Sequence, residues 1–243
     1  VLLYKRAIWG IARRIGRPDL AGAIDTEARL ALREDVAIEA ILASSLKDDA
    51  TYVDVGTNRG QLLREAVRIA PHGNHVAFEP IPDLAAEVTR EFPDVDCRAI
   101  ALGDHRDATS FCHFTKLDGW SGLHRHPSIS DAQGGPVMID VEVSTLDEEL
   151  AEMMPSVVKI DVEGAEQAVL EGARGVLSRA RPLVIFEHVR EAAAMYGDEP
   201  AAPWDLLTGL GYRIFSVTGD GPFTRAAFVE ATGVVNWLAT PEA

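Results

Sequence analysis

The chain has 243 residues, 47% of them hydrophobic and 25% charged, enough to bury a sizeable core in one soluble α/β domain. With 38 acidic residues against 23 basic ones its formal charge is −15, a surface that repels phosphate backbones and argues against nucleic acid as a partner. Its two cysteines, Cys97 and Cys112, lack a C-x-x-C spacing and read as buried free thiols of a reducing cytoplasm, not as a zinc site.

The first basic residues cluster. Lys5, Arg6, Arg13, Arg14 and Arg17 alternate with Leu2, Leu3, Ile8, Trp9, Ile11 and Ile15, as in an amphipathic helix. A helix docked on the body, or covering a second copy, is preferred over one lying on a membrane surface. No apolar run reaches the ~20 residues that span a bilayer, and no signal peptide is visible. The chain begins at Val1 rather than Met, which leaves room for residues upstream.

Residues 20–48 read as helical, and 1–50 as an N-terminal helical extension. The rhythm then changes to short apolar runs alternating with helical spacing. TYVDVG is followed by QLLREAVRIA (61–70), HVAFEP (75–80) by DLAAEVTREF (83–92), and VDCRAIALGD (95–104) holds a third strand. Such βαβ units predict a parallel sheet with right-handed crossovers. Residues 105–143 read as an insertion: strands ATSFCHF (108–114) and VMIDVEV (137–143) flank a Gly-, Ser- and His-rich loop, with a capping box in S-T-L-D-E after it. Alternation resumes with SVVKID (156–161), a helix over 165–180, PLVIFEH (182–188), helix WDLLTGLG, YRIFSV and VVNWLA. The expectation is a doubly wound, mostly parallel sheet of seven strands in one domain over 1–243, with its core at 51–243.

Ligands of such sheets bind beyond the carboxyl ends of the strands, where D-V-G-T-N-R-G (54–60) lies. A dinucleotide fingerprint needs G-x-G-x-x-G; here only Gly56 and Gly60 are present, and Asp54 would face two phosphates. Like charges ~4 Å apart cost about 4 kcal/mol at an effective dielectric near 20, which disfavours pyrophosphate and a nicotinamide oxidoreductase. S-adenosylmethionine, a nucleoside with an ammonium and a sulfonium but no phosphate, suits Asp54. Glu79, 25 positions on, sits where an acid grips ribose hydroxyls.

VDVGTNRG (53–60), FEPIPD (78–83), AIALGD (99–104), VKIDVEGAE (158–166), PLVIFEH and VVNWLA together resemble the FkbM methyltransferase family. Thr57, Arg59 and Gln61 depart from that family's commoner pattern, while Asp54, Gly56, Asn58 and Gly60 match it. The resemblance implies a class I methyltransferase, Rossmann-like fold. It also implies cofactor contacts from Asp54, Gly56, Asn58, Gly60, Glu79, Pro80, Ala101 and Asp161.

A second constellation lies at later strand ends. Asp161 ends one strand, and Glu187 and His188 end the next, so the three are expected to converge; Glu163 and Glu166 read as helix-start acids. Asp161, Glu187 and His188 could ligate a divalent cation such as Mg²⁺, or His188 could be a general base without a metal. Either arrangement activates a hydroxyl for methylation. In the insertion, Trp120 and His124 are candidate contacts for a hydroxylated small-molecule or glycan acceptor, with Trp120 stacking on a sugar ring. O-methylation is the leading expectation. N- or C-methylation and a non-catalytic nucleoside-binding protein are the alternatives.

Overall fold

The structure, a computed structural model, describes residues 18–115, 121–123 and 135–242, and of residues 18–28 the backbone alone. The basic stretch before Pro18 and the candidates Trp120 and His124 lie outside the described residues.

The extension forms α1 (Pro18–Ser45). It is followed by β1 (Tyr52–Val55), α2 (Gln61–Ile69), β2 (Val76–Phe78), α3 (Pro82–Glu91) and β3 (Asp96–Arg98). After β4 (Ala101–Leu102), the insertion supplies β5 (Asp107–His113) and β6 (Val137–Ser144). Next come α4 (Leu146–Leu150), β7 (Val157–Ile160), α5 (Glu166–Glu171), α6 (Arg174–Ala180) and β8 (Leu183–Glu187). The chain then forms α7 (Arg190–Ala193), a 3₁₀ turn (Ala194–Tyr196), α8 (Ala202–Gly209), β9 (Tyr212–Ser216), α9 (Arg225–Glu230) and β10 (Asn236–Pro241).

Among the described residues, seven strands form the main sheet in the order β3-β2-β1-β7-β8-β10-β9. The pairings from β3 to β8 are parallel, and β10 runs antiparallel to both β8 and β9. This is the expected α/β class I methyltransferase sheet. The chain builds outward from β1 to β3 and then returns to β7, so the order reverses between β1 and β7 and a crevice opens at their carboxyl ends. β4, β5 and β6 form a separate sheet, with β5 and β6 paired antiparallel from Asp107↔Val143 to His113↔Val137.

Strand alternation sorts the two faces of the main sheet. Val53, Val55, Val158, Ile160, Val184 and Phe186 point toward α4, α5, α6, α8 and α9, meeting Leu146, Leu170, Leu177, Leu207 and Phe228. Tyr52, Ala77, Val157 and Ile185 point the other way, onto Ile38, Leu42 and Leu46 of α1, Leu63 and Ala66 of α2, and Val88 of α3. Asp54, Lys159, Asp161 and Glu187 alternate into register with this second set.

α1 is therefore docked on the sheet. Its buried Glu34 accepts hydrogen bonds from the Val235 and Asn236 amides at 3.1 and 3.3 Å and from Asn236 Nδ2 at 2.9 Å, fixing the helix to the entry of β10. No helix among the described residues is long and apolar enough to cross a membrane.

Three local expectations need correction. The helix expected over 165–180 is two helices, because Asp147 caps α6 by accepting from the Gly175 and Val176 amides (2.8 and 2.7 Å) while its own amide donates to the Gly172 carbonyl (2.9 Å). Glu163 precedes α5 instead of starting it, with φ 58°. The cap ahead of α4 is half formed: Thr145 Oγ1 accepts from the Glu148 amide at 3.2 Å, but the Glu148 carboxylate turns to Ser144 and Arg106.

Candidate active site

The β1–α2 turn is braced from below by two buried acids. Asp54 Oδ2 accepts from Thr57 Oγ1 at 2.8 Å, and Glu79 accepts from the Asn58 amide (2.8 Å) and the Ile81 amide (3.0 Å). The Gly56 and Thr57 amides both donate to the Phe78 carbonyl. Asp54 is 1% exposed, and its Oδ1 and the neighbouring Tyr52 hydroxyl have no hydrogen-bond partner. Burial raises the Asp54 carboxyl above its ordinary range, against the attraction of Lys159 and the Thr57 bond.

The two glycines of the turn serve packing. Gly56 has φ 78°, and a Cβ there would lie 1.8 Å from the Asp161 carbonyl oxygen, so the ends of β1 and β7 meet closely only because residue 56 has no side chain. Gly60, φ 68°, faces the Phe92 ring. Asn58 is left-handed as well, with φ 49°. Pro80 is half-buried behind Glu79, and Ala101 is buried in β4 among Ile81, Leu84, Phe111 and Val143.

Beyond β7 and β8 lies the acidic centre. Register places Lys159 beside Asp54 on one side and Ile185 on the other, so Asp161 and Glu187, two residues further along each strand, come together. Oxygens of Asp161, Glu163 and Glu187 lie within 4.8 Å of one another. Lys159 Nζ donates to Asp161 Oδ2 at 2.9 Å; the lysine side chain is 7% exposed, whereas that of Asp161 is 34% exposed. Glu166 is buried and fastens the intervening loop, its Oε1 accepting from the Val162 amide (2.9 Å) and the Gly164 amide (3.1 Å).

These surroundings push the acids apart in proton affinity. Burial acts to raise Asp161, but the Lys159 ammonium and a hydrogen bond with the Glu187 carboxyl hold it below the ordinary range. Glu187 is pushed well above that range, first by burial and then by the negative charge of Asp161, Glu163 and Glu166. Glu163 is likewise raised well above, by burial and then by Asp161 and Glu166. Burial raises Glu166 to about 7 against its backbone donors. Asp161 is thus the standing anion and Glu187 the carboxyl of raised proton affinity beside it.

His188 is not brought into this group. One residue past Glu187, it faces the opposite side of the sheet, where its ring stacks on Phe228 (centroids 5.3 Å apart, planes 17°) and Nε2 lies 3.1 Å from the Pro200 carbonyl. Burial lowers its pKa, so it is neutral and donates that bond from Nε2–H. The expected Asp161–Glu187–His188 convergence is therefore an Asp161–Glu163–Glu187 cluster. An all-oxygen set suits a hard cation. Here the Lys159 ammonium already offsets part of the acids' charge. Sequence reasoning passed over Lys159, although its place two residues before Asp161 on one strand puts both on the same face.

Comparison with known proteins locates the chain. Residues 54–214 match the family model described as Methyltransferase FkbM domain. The chain is 30% identical over 153 residues to the 2-O-methyltransferase NoeI of Sinorhizobium fredii, covering 56% of this chain and 62% of that protein. It is 26% identical over 207 residues to the AMB antimetabolite synthetase AmbE of Pseudomonas aeruginosa, covering 70% of this chain and 10% of that protein. The crystal structure of a methyltransferase FkbM from Methylobacillus flagellatus superposes with a TM-score of 0.49 at 15% identity, covering 80% of this chain and 44% of that one. The chain thus spans a tenth of one of these curated relatives and less than two thirds of the other.

Proposed function

Because the chain belongs to the FkbM family of S-adenosylmethionine-dependent methyltransferases, we propose that it methylates a hydroxyl of a small molecule, sugar or glycosylated metabolite, with Glu187 as the proton acceptor. The observation that carries this reading is the meeting of Asp161, Glu163 and Glu187 beyond β7 and β8, beside the Gly56–Gly60 turn. Similarity to a 2-O-methyltransferase supports the choice of oxygen.

The turn fits the cofactor. Glu79 accepts the Asn58 and Ile81 amides at the end of β2, where a carboxylate can take hydrogen bonds from ribose hydroxyls. The buried negative charge of Asp54 beneath the turn, where Oδ1 has no donor, favours a cationic ligand over a phosphate. Gly56, Asn58 and Gly60 would hold the amino-acid part of the ligand, and Pro80 and Ala101 would lie toward its base. When bound, S-adenosylmethionine supplies an electrophilic methyl group on a sulfonium.

An alcohol is a poor nucleophile until its proton is taken. The work left to the chain is to align the acceptor oxygen and accept that proton. A raised proton affinity makes the ionised Glu187 a stronger base than an ordinary carboxylate, closer to the match with neutral pH that general-base catalysis favours. Asp161 stays ionised beside it and stabilises the proton once it has moved onto Glu187. His188 braces the far face of the strand.

The test is incubation with methyl-¹³C-labelled S-adenosylmethionine and hydroxylated acceptors from source-cell extract. The expected product carries its label at the carbon shift of an O-methyl group, and E187Q lowers its yield at least ~100-fold. Label on nitrogen or carbon overturns the reading.

A further inference from the structure

Lys159 is the one charged residue of β7, flanked by Val157, Val158 and Ile160. Its stem runs between β1 and β8 on the face closed by α1, α2 and α3. The charged groups around its ammonium are Asp54 from β1, Asp161 beyond its own strand and Glu187 from β8. An ion pair at such depth is a poor source of stability, because both partners lose their water. An apolar residue would pack with Val157 and Ile185 at less cost.

What the lysine does supply is a choice between two carboxylates. In register with Asp54, it donates instead to Asp161 Oδ2 at 2.9 Å. We infer that Lys159 is a positioning residue: its buried ammonium pins the Asp161 carboxylate as the fixed anion against which Glu187 receives the acceptor's proton. It touches neither cofactor nor acceptor, and it acts through Asp161. The inference rests on the O-methyl transfer proposed above. The proton leaves the acceptor hydroxyl for the ionised Glu187 as the oxygen bonds to the methyl carbon; the carbon–sulfur bond breaks, its electron pair stays on the sulfur of departing S-adenosylhomocysteine, and Asp161 and Lys159 keep their charges.

The first test is a double-mutant cycle of K159M and D161N, with labelled S-adenosylmethionine, the acceptor found by labelling, and S-adenosylhomocysteine calorimetry alongside. K159M is expected to lower kcat ~10- to 100-fold while the Kd for S-adenosylhomocysteine stays within about threefold. K159M/D161N is expected to match D161N alone, since a residue that acts only through Asp161 has nothing left to hold. Should K159M fail to fold with its buried acids uncompensated, the D161N and K159M/D161N pair still decides. Additive losses of kcat, or equal loss of kcat and homocysteine-product affinity in K159M, overturn the inference.

The second test needs no acceptor. In ¹⁵N-lysine spectra of the native protein with S-adenosylhomocysteine, the resonance absent from K159M is expected to be a slowly exchanging ammonium that D161N releases. A rapidly exchanging Lys159, or one unchanged in D161N, overturns the inference even where methyl transfer is intact. A product methylated on nitrogen or carbon instead overturns the O-methyl reading and leaves the ammonium result to judge Lys159.

Discussion

Replacing Gly56 by alanine tests whether the turn glycine serves the strand ends. An L-residue at φ 78° costs roughly 1–2 kcal/mol in backbone strain. The new Cβ would start 1.8 Å from the Asp161 carbonyl oxygen, where contacts below 3.0 Å do not persist, so one strand end must retreat by more than 1 Å. That retreat breaks the 3.0 Å bond from the Asp161 amide to the Val55 carbonyl, worth about 1 kcal/mol net. The sum, with disturbed packing, is about 3–4 kcal/mol. At ~2–4 °C per kcal/mol for a chain of this size, Tm should fall by roughly 6–16 °C. Because the displaced backbone carries Asp161, kcat should fall ~100-fold in whatever protein remains folded. Gly60→Ala is the internal control: its Cβ meets the tip of the Phe92 ring at 2.7 Å, which can swing aside, so strain of roughly 1–2 kcal/mol is the main cost. Thermal and urea unfolding of the two variants, with S-adenosylhomocysteine calorimetry, make the comparison. A G56A variant as stable and active as G60A would refute the reasoning.

Three further outcomes follow from the acids. If Glu187 is the base proposed above, kcat/KM should rise with pH through an ionisation well above the ordinary carboxylate range, since burial beside Asp161 raises its proton affinity; E187Q should abolish that limb, and a flat profile in the native enzyme would speak against it. Glu166, raised to about 7 by burial, contributes stability in full below its ordinary value of 4.5 and loses it as pH rises through about 7. E166Q should therefore gain on the order of 2–3 kcal/mol relative to the native chain between pH 5 and pH 8 in urea titrations, and equal differences at both pH values would contradict this. EDTA should leave methyl transfer unchanged, since the Lys159 ammonium already offsets part of the acids' charge; loss restored by Mg²⁺ would show that a cation completes the site.

Much of this was legible in the sequence because the information is local. Apolar runs ending in turn residues placed β1, β2, β7 and β8 within a residue or two, and the βαβ rhythm made their sheet parallel. Asp161 and Glu187 were legible as partners because adjacent parallel strands end level. What escaped depends on which way a side chain leaves its strand, or on contacts far along the chain. His188 was grouped with Glu187 by adjacency, yet neighbours on an extended segment face opposite sides. The break before α6 depends on Asp147, 28 residues from the Gly175 amide it caps. Lys159 gains its meaning only when register sets it beside Asp54 and its ammonium reaches Asp161.

The energetics explain why such a cluster calls for a functional account. Two ionised carboxylates 4.8 Å apart repel by about 3–4 kcal/mol at an effective dielectric near 20. Asp161, Glu163 and Glu187 all ionised would cost about 10 kcal/mol, comparable to the net stability of a whole domain. A fold selected for stability alone would place apolar or amide side chains there. This one keeps the acids and limits the repulsion with a buried ammonium on Asp161, a proton on Glu187 and backbone amides on Glu166. Each of those devices is local and leaves one carboxyl able to change its proton. Retaining that capacity in a chain already carrying −15 formal charge is the mark of a site where stability has been given up for proton transfer.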